Sequence, residues 1–106
     1  MKQSDRVTEP EVAIAVLRIA AKQPDSIGTF YRLKKELPQY LPLSAGDRKQ
    51  SVTRPNEELW EQIVRNIKSH HDVEGNILCE GYAKHVPRVG YQITDSGRVF
   101  LKNMGY

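Results

Sequence analysis

Apolar residues recur at helical spacing near the start of the chain. Val12, Val16 and Ala20 lie four positions apart, and this spacing predicts an amphipathic helix with one buried face. Thr8 precedes the pattern as a candidate N-cap, and Pro10 lies where the first helical turn would begin. The pattern therefore predicts a first helix that starts close to Thr8.

A second and shorter pattern follows. Phe30, Leu33 and Leu37 fall on one helical face, and Thr29 stands before them as a candidate cap. Because the residue before a proline disfavours the helical region of the backbone, this second helix is expected to end before Pro38.

The clearest helical pattern spans residues 55–71. Pro55 suits the first position of a helix, and three glutamates in the first turns complement the helix dipole. These glutamates are Glu57, Glu58 and Glu61. The apolar stripe of this third helix consists of Trp60, Ile63, Val64 and Ile67.

The last third of the chain has the alternation that is typical of strands. Residues 76–83 and 89–94 are predicted as two strands, and a very short strand is expected at 26–27. The connector 83–89 is basic, contains no acid and is longer than a two-residue hairpin turn. It is therefore expected to extend from the hairpin as a basic loop.

A short closing helix is expected at the end of the chain, capped by Thr94 or Asp95. Its inward residues would be Val99, Phe100 and Met104. The order of elements predicts an α+β, mostly α, fold class. Three helices followed by a hairpin indicate a winged helix-turn-helix, with a three-helix core, a two- to three-stranded β-hairpin wing and a short C-terminal helix.

Length and composition limit the classes of protein. The chain has 106 residues and a formal net charge of +3, which suits one domain with a mild basic bias. Residues 1–7 are expected to form a loose leader and residues 8–106 a single winged-helix domain. No apolar run of about 18 residues predicts a membrane span, and the start has no apolar signal segment. A cytoplasmic protein without a membrane partner is therefore expected.

The third helix is the candidate for the major groove of double-stranded DNA, and the basic loop is the candidate wing. Gln and Asn can pair with adenine and Arg with guanine, so polar residues opposite the core stripe are candidate base contacts. A wing contacts phosphate or the minor groove, where Lys, Arg and His are suitable. The candidate DNA-binding residues are Arg48, Lys49, Ser51, Arg54, Asn56, Gln62, Arg65, Asn66, Lys84, His85 and Arg88.

An ordinary solvated surface would contain the same residue types. Acids at the start of the third helix would also repel DNA, although they are better explained as complements of the helix dipole. A winged helix can instead serve as a docking surface, and an acidic helix start would suit a basic partner. Protein–protein interaction without DNA binding is therefore the alternative function.

Residues 8–102 resemble the winged-helix domain at the N-terminus of Mrr-type restriction endonucleases. The resemblance is carried by Trp60, Val64, Gly90, Ile93, Thr94, Gly97, Arg98 and Leu101. It implies a DNA-binding module from a restriction system or a transcription regulator. The sequence leaves open whether the chain forms a homodimer or is fused to a larger nuclease. The third helix is more acidic than the family pattern, and "SHHDVEGN" replaces the family's basic turn.

No enzymatic centre is expected. A metal-dependent nuclease needs acids and a lysine in an arrangement such as D…E-x-K, and "EGYAK" lacks that spacing. The single cysteine, Cys79, excludes an internal disulfide and forms a poor zinc ligand set with three scattered histidines. It is expected to be a small buried residue of the first hairpin strand. Neither a metal nor a cofactor is predicted.

Overall fold

A computed structural model describes residues 6–106, which form four helices and one three-stranded antiparallel sheet. This arrangement confirms the predicted α+β class. In chain order the elements are α1 (Glu9–Ala21), β1 (Ile27–Thr29), α2 (Phe30–Tyr40), α3 (Leu59–Ser69), β2 (Ala83–Val86), β3 (Gly90–Ile93) and α4 (Asp95–Asn103).

Helix α1 is the centre of the core and packs against the other three helices and against β1 and β3. Its start is a reciprocal capping box: Glu11 N donates to Thr8 Oγ1, and Thr8 N donates to the Glu11 carboxylate at 2.8 Å. Val12, Val16 and Leu17 are fully buried. The predicted start and buried face of the first helix are therefore confirmed.

Helix α2 continues past the proline at which it was predicted to end. Thr29 caps it as expected, but the helix includes Pro38 and reaches Tyr40. A proline removes one backbone donor, yet Leu41 N donates to Leu37 O at 3.1 Å and closes the last turn. The Tyr40 hydroxyl also accepts from Nζ of Lys22, the C-cap of α1, at 2.7 Å. These contacts hold the end of α2 helical.

Helix α3 is shorter than the predicted 55–71 segment. It runs from Leu59 to Ser69, and Pro55 lies in a turn before it. The cap is Glu58, whose backbone N–H donates to the Glu61 carboxylate at 3.0 Å. Trp60, Val64 and Ile67 of the predicted stripe are buried, whereas Ile63 is only half-buried.

The first hairpin strand lies later in the chain than the predicted 76–83 segment. Residues 76–82 form turns, and β2 begins at Ala83. Asn76 makes the turn, because its Oδ1 accepts from Leu78 N and its Nδ2 donates to Ile67 O at 2.9 Å. Ile77 is buried, so its apolar character reflects core packing. Cys79, predicted to be buried, is exposed in this turn.

The sheet has the order β1-β3-β2, with β3 in the centre. Pairing places Tyr91 between Gly28 and His85, and places Gln92 between Ile27 and Lys84. Since side chains of successive strand residues point to opposite faces, His85 lies on the core face with Tyr91. Lys84 lies on the opposite face.

Two core contacts fix the sheet against the helices. The Tyr91 hydroxyl donates to Val64 O of α3 at 2.7 Å, and burial raises the pKa of Tyr91 to about 12. A Cβ at Gly90 would overlap the carbonyl oxygen of Gly28 in β1. The close approach of these two backbones therefore requires glycine at position 90.

The segment that carries the family resemblance joins β3 to α4 and has structural contacts. A Cβ at Gly97 would overlap the Tyr82 carbonyl oxygen. The Arg98 guanidinium donates to Ala21 O at 3.2 Å and to Ser26 Oγ at 2.7 Å. These positions are explained by the fold without any ligand.

Helix α4 begins at the predicted cap, because Gly97 N donates to Thr94 Oγ1 at 3.1 Å. The predicted inward face is largely wrong, since Val99 and Met104 are 59% and 47% exposed. Phe100 is half-buried and stacks on Tyr82 with ring centroids 4.3 Å apart. The buried residues of α4 are Gly97 and Leu101.

The predicted leader 1–7 lies largely outside the described residues, which begin at Arg6. Val7 is buried, and its N–H donates to the Asp47 carboxylate at 3.0 Å. Arg6 Nε and Ser44 N donate to the same carboxylate at 2.9 and 3.0 Å. The packed part of the chain therefore begins before the predicted boundary at residue 8.

Candidate nucleic-acid interface

Residues 49–51 of the long connection between α2 and α3 run alongside residues 57–59 at the start of α3. Lys49 O accepts from Leu59 N at 2.8 Å, and Ser51 N donates to Glu57 O at the same distance. An isolated β-bridge between Gln50 and Glu58 lies between these bonds. The connection therefore brings its basic residues next to the start of the proposed groove-reading helix.

Asp47 holds this connection in place from inside the core. Its side chain is fully buried. Burial alone would raise the pKa of Asp47, but hydrogen bonds from Ser44, Val7 and Arg6 outweigh that effect and hold it below the ordinary value. The ionised carboxylate therefore ties the segment before α1 to the connection between α2 and α3.

Glu57, just before α3, is occupied by Arg65. Arg65 Nε donates to Glu57 Oε2 at 2.6 Å, and a second guanidinium nitrogen contacts the same oxygen. The Arg65 hydrogen bond lowers the pKa of Glu57, against the opposing effect of burial. The Arg65 side chain is 43% exposed, but its charge is neutralised locally.

The other two glutamates at the start of α3 also have partners. Glu58 accepts from the Trp60 indole N–H at 2.8 Å and lies 3.4 Å from Arg48. Glu61, besides completing the helix cap, lies 3.4 Å from Lys34 Nζ of α2. Every acid of the predicted acidic helix start thus has a cationic partner.

Two predicted polar contacts bond to each other. Ser51 is buried, and its hydroxyl donates to Gln62 Oε1 at 2.9 Å while accepting from Arg54 N. The Gln62 amide nitrogen has no hydrogen-bond partner within residues 6–106. Ser51 therefore positions Gln62, which has an unused donor pair.

Four other predicted residues remain available at the start and along the face of α3. Lys49, Arg54 and Asn56 are exposed, and Asn66 is half-exposed on the helix. In the part of the chain that the structure describes, the two cations form no ion pair. Both are exposed to solvent, and the charge of Arg54 is one of the smaller causes that lower the pKa of Glu57.

The predicted loop 83–89 is a strand followed by a tight turn. β2 occupies residues 83–86, and Val89 N donates to Val86 O at 3.0 Å across Pro87 and Arg88. Arg88 has a φ of 66°, and proline followed by a residue of positive φ is typical of a type II turn. Arg88 is therefore the one predicted cation at the tip of the hairpin.

His85 is held by aromatic rings and is not at the tip. Its ring centroid is 6.4 Å from that of Phe30 and 5.8 Å from that of Tyr91. Its Nε2 is buried without a hydrogen-bond partner among the described residues. Burial, and next the charge of Lys68, lower the pKa of His85.

Lys68 and His71, which were not predicted as site residues, line a depression together with His85. Their position near the C-terminal end of α3 also suits the negative end of the helix dipole. The basic composition of 68–71 was the available signal, but only the tertiary structure shows that Lys68 and His71 line one depression with His85 of β2.

A second cavity of about 290 Å³ lies between α2 and α3. Leu33, Trp60 and Val64 form its buried floor, and Tyr31, 74% exposed, lies at its edge. Its charged residues are the Lys34–Glu61 and Arg65–Glu57 pairs. Its surface is therefore apolar with compensated charge.

Residues 6–106 contain no group of three or more His, Cys, Asp or Glu side chains arranged to hold a metal. No helix in that range is long and apolar enough to cross a membrane. Comparison with protein-family models gave no match, and the curated proteins and solved structures gave no significant match. The resemblance to the Mrr-type domain therefore remains a prediction.

Proposed function

We propose that the protein is a DNA-binding winged helix-turn-helix module. In this proposal α3 enters the major groove and the β2–β3 turn contacts the neighbouring backbone. The order of three helices before a hairpin, with β1 completing the sheet, supports this architecture. The biological process would be restriction or transcription regulation, as the family resemblance implies.

The main support is the charge arrangement around the start of α3. Glu57, Glu58 and Glu61 are each paired internally, so their repulsion of DNA phosphates is reduced. Lys49 and Arg54 lie beside the same turn without ion pairs within the described range. The surface around the start of α3 would therefore carry a net positive charge, although the sequence there is acidic.

Sequence readout would come from Gln62 and Asn66. They are four positions apart and therefore lie on the same helix face. Side-chain amides can pair bidentately with adenine in the major groove. In this arrangement the Ser51 hydroxyl bonds to the Gln62 amide oxygen and orients it. The Gln62 amide nitrogen then remains as a donor to the base.

A salt titration tests the proposal. Binding of a random-sequence duplex is expected with a Kd of about 1–100 µM that weakens steeply between about 50 and 200 mM salt. The double variant Lys49→Gln, Arg54→Gln should lower the slope of log affinity against log salt by about 1.8. Lys102→Gln, an exposed lysine of α4, is the control. Absence of duplex binding at low salt would refute the proposal.

The alternative, a protein-docking module, is favoured by the cavity between α2 and α3 with exposed Tyr31 at its edge. The sequence argument for docking was a free acidic surface that would bind a basic partner. Because these acids are paired, that argument is weakened. A docking module predicts no salt-dependent duplex binding, so the same titration separates the two functions.

A further inference from the structure

An open depression lies between the C-terminal end of α3 and strand β2. Its volume is about 490 Å³, within the roughly 300–1,000 Å³ range of ligand sites. It is lined by Lys68, His71, Leu78, Ala83, Lys84 and His85. The lining contains two lysines, two histidines and no acid, so it concentrates positive charge.

Lys68 and His71 belong to the end of α3 and the turn after it. Neither forms an ion pair within residues 6–106. His71 Nδ1 lies 3.1 Å from Lys68 O, and in the tautomer that donates this bond the Nε2 is unprotonated. Protonation of the ring would therefore add a donor at Nε2 as well as a charge.

His85 lines the same depression from β2, and because its Nε2 is buried, only its Nδ1 can contact a ligand there. It faces Lys68 from α3, His71 from the following turn and the Tyr91 phenol from β3, while Phe30 of α2 contributes only an aromatic ring. No carboxylate lines the depression. Burial, and next the charge of Lys68, disfavour protonated His85, and an anion beside Lys68 would offset the second of these effects.

We propose that this depression binds a phosphate group through Lys68, His71 and His85, more tightly as the pH falls. The phosphate would come from the DNA backbone beside the hairpin, and in this respect the inference rests on the proposed function. The pH dependence arises because imidazole changes charge near neutral pH, whereas lysine does not. Lys84 lines the depression as well, although the sheet register places its side chain on the face opposite that of His85.

The role of Lys68 is tested with matched variants. Lys68→Gln should lower the slope of log duplex affinity against log salt by about 0.9, whereas Lys102→Gln on α4 should leave it unchanged. Both side chains are exposed, so equal thermal midpoints would show that the fold is retained. A Lys68→Gln variant that binds like Lys102→Gln would overturn the site and leave the proposed function standing.

Adjacent histidines provide the second matched pair. His70 lies 2.8 Å from the Glu9 carboxylate and does not line the depression. Duplex affinity should rise several-fold when the pH is lowered from about 8 to about 6, as imidazoles become charged. His71→Gln should reduce this gain and His70→Gln should preserve it. Equal gains in the two variants would contradict the role of His71.

Inorganic phosphate separates a failure of the site from a failure of DNA binding. Titration of phosphate should shift the imidazole NMR signals of His71 and His85 in the wild type but not in Lys68→Gln. If duplex does not bind and phosphate still shifts these signals, the proposed function fails while the site is supported for free phosphate. If phosphate shifts neither histidine, the site is refuted.

Discussion

The two ends of α3 both carry basic side chains but use them differently. At the N-terminal end, Arg65, Arg48 and Lys34 each pair with a glutamate. At the C-terminal end, Lys68 and His71 lie in a depression without a carboxylate. A count of charges along the sequence therefore does not show which cations are available. A cation is available to a partner only where the fold places no acid in contact with it.

The largest expected effect comes from removing Asp47, which holds the connection that carries Arg48, Lys49 and Arg54. Asp47→Ala should lower the free energy of unfolding by about 3 kcal/mol, because buried hydrogen bonds to a charged group are lost. Urea unfolding would measure this change. Asp72→Ala, at an exposed position, should change it by less than about 0.5 kcal/mol. Equal effects would show that Asp47 is not a structural centre.

Acid titration of stability provides a second test of Asp47. Because its pKa is lowered on folding, its contribution is present above the unfolded pKa, near about 4. That contribution is lost as the pH falls through the folded value. The wild type should therefore lose more stability than Asp47→Ala below about pH 4. Parallel profiles for the two proteins would contradict the proposed hydrogen-bonded carboxylate.

An intermediate effect is expected from freeing a cation at the N-terminal end of α3. Glu57→Gln removes the charge that neutralises Arg65, so the salt slope of duplex binding should steepen by about 0.9. Glu74→Gln removes an exposed acid without releasing Arg65 and serves as the control. If both variants behave alike, local pairing does not decide the availability of Arg65.

The smallest expected effect concerns the Arg48–Glu58 pair. Its atoms are 3.4 Å apart and both side chains are substantially exposed. Arg48→Ala should therefore change the free energy of unfolding by less than about 0.5 kcal/mol. A loss above about 1 kcal/mol in thermal unfolding would show that this pair is part of a stronger network.

Local patterns predicted the caps of α1, α2 and α4 but not that of α3, and they misplaced the first hairpin strand. Thr8, Thr29 and Thr94 were all recognised as caps, because a cap interacts only with residues two or three positions away. The β2 strand was misplaced because the apolar residues at 76–79 are typical of a strand but are arranged by the Asn76 turn. Strand position depends on pairing with β3, which is not a local property.

The sequence predicted individual candidate residues of the site but not the contacts between them. The basic hairpin and the amide residues of the third helix were predicted, yet Lys84 and His85 were grouped together although they lie on opposite sheet faces. Lys68 and His71 were not predicted, because the depression that they line with His85 combines residues of α3, the following turn and β2 that are distant in sequence.

The sequence by itself determined the starts of α1, α2 and α4, most of the buried stripes of the first three helices, the α+β class and the basic character of the hairpin, since these follow from interactions over a few residues. Only the tertiary structure decided which charges are neutralised and which remain free. Asp47 bonds to Val7, forty positions away, and Tyr91 to Val64 across 27 positions. Such contacts form through packing of distant segments, which no local pattern encodes.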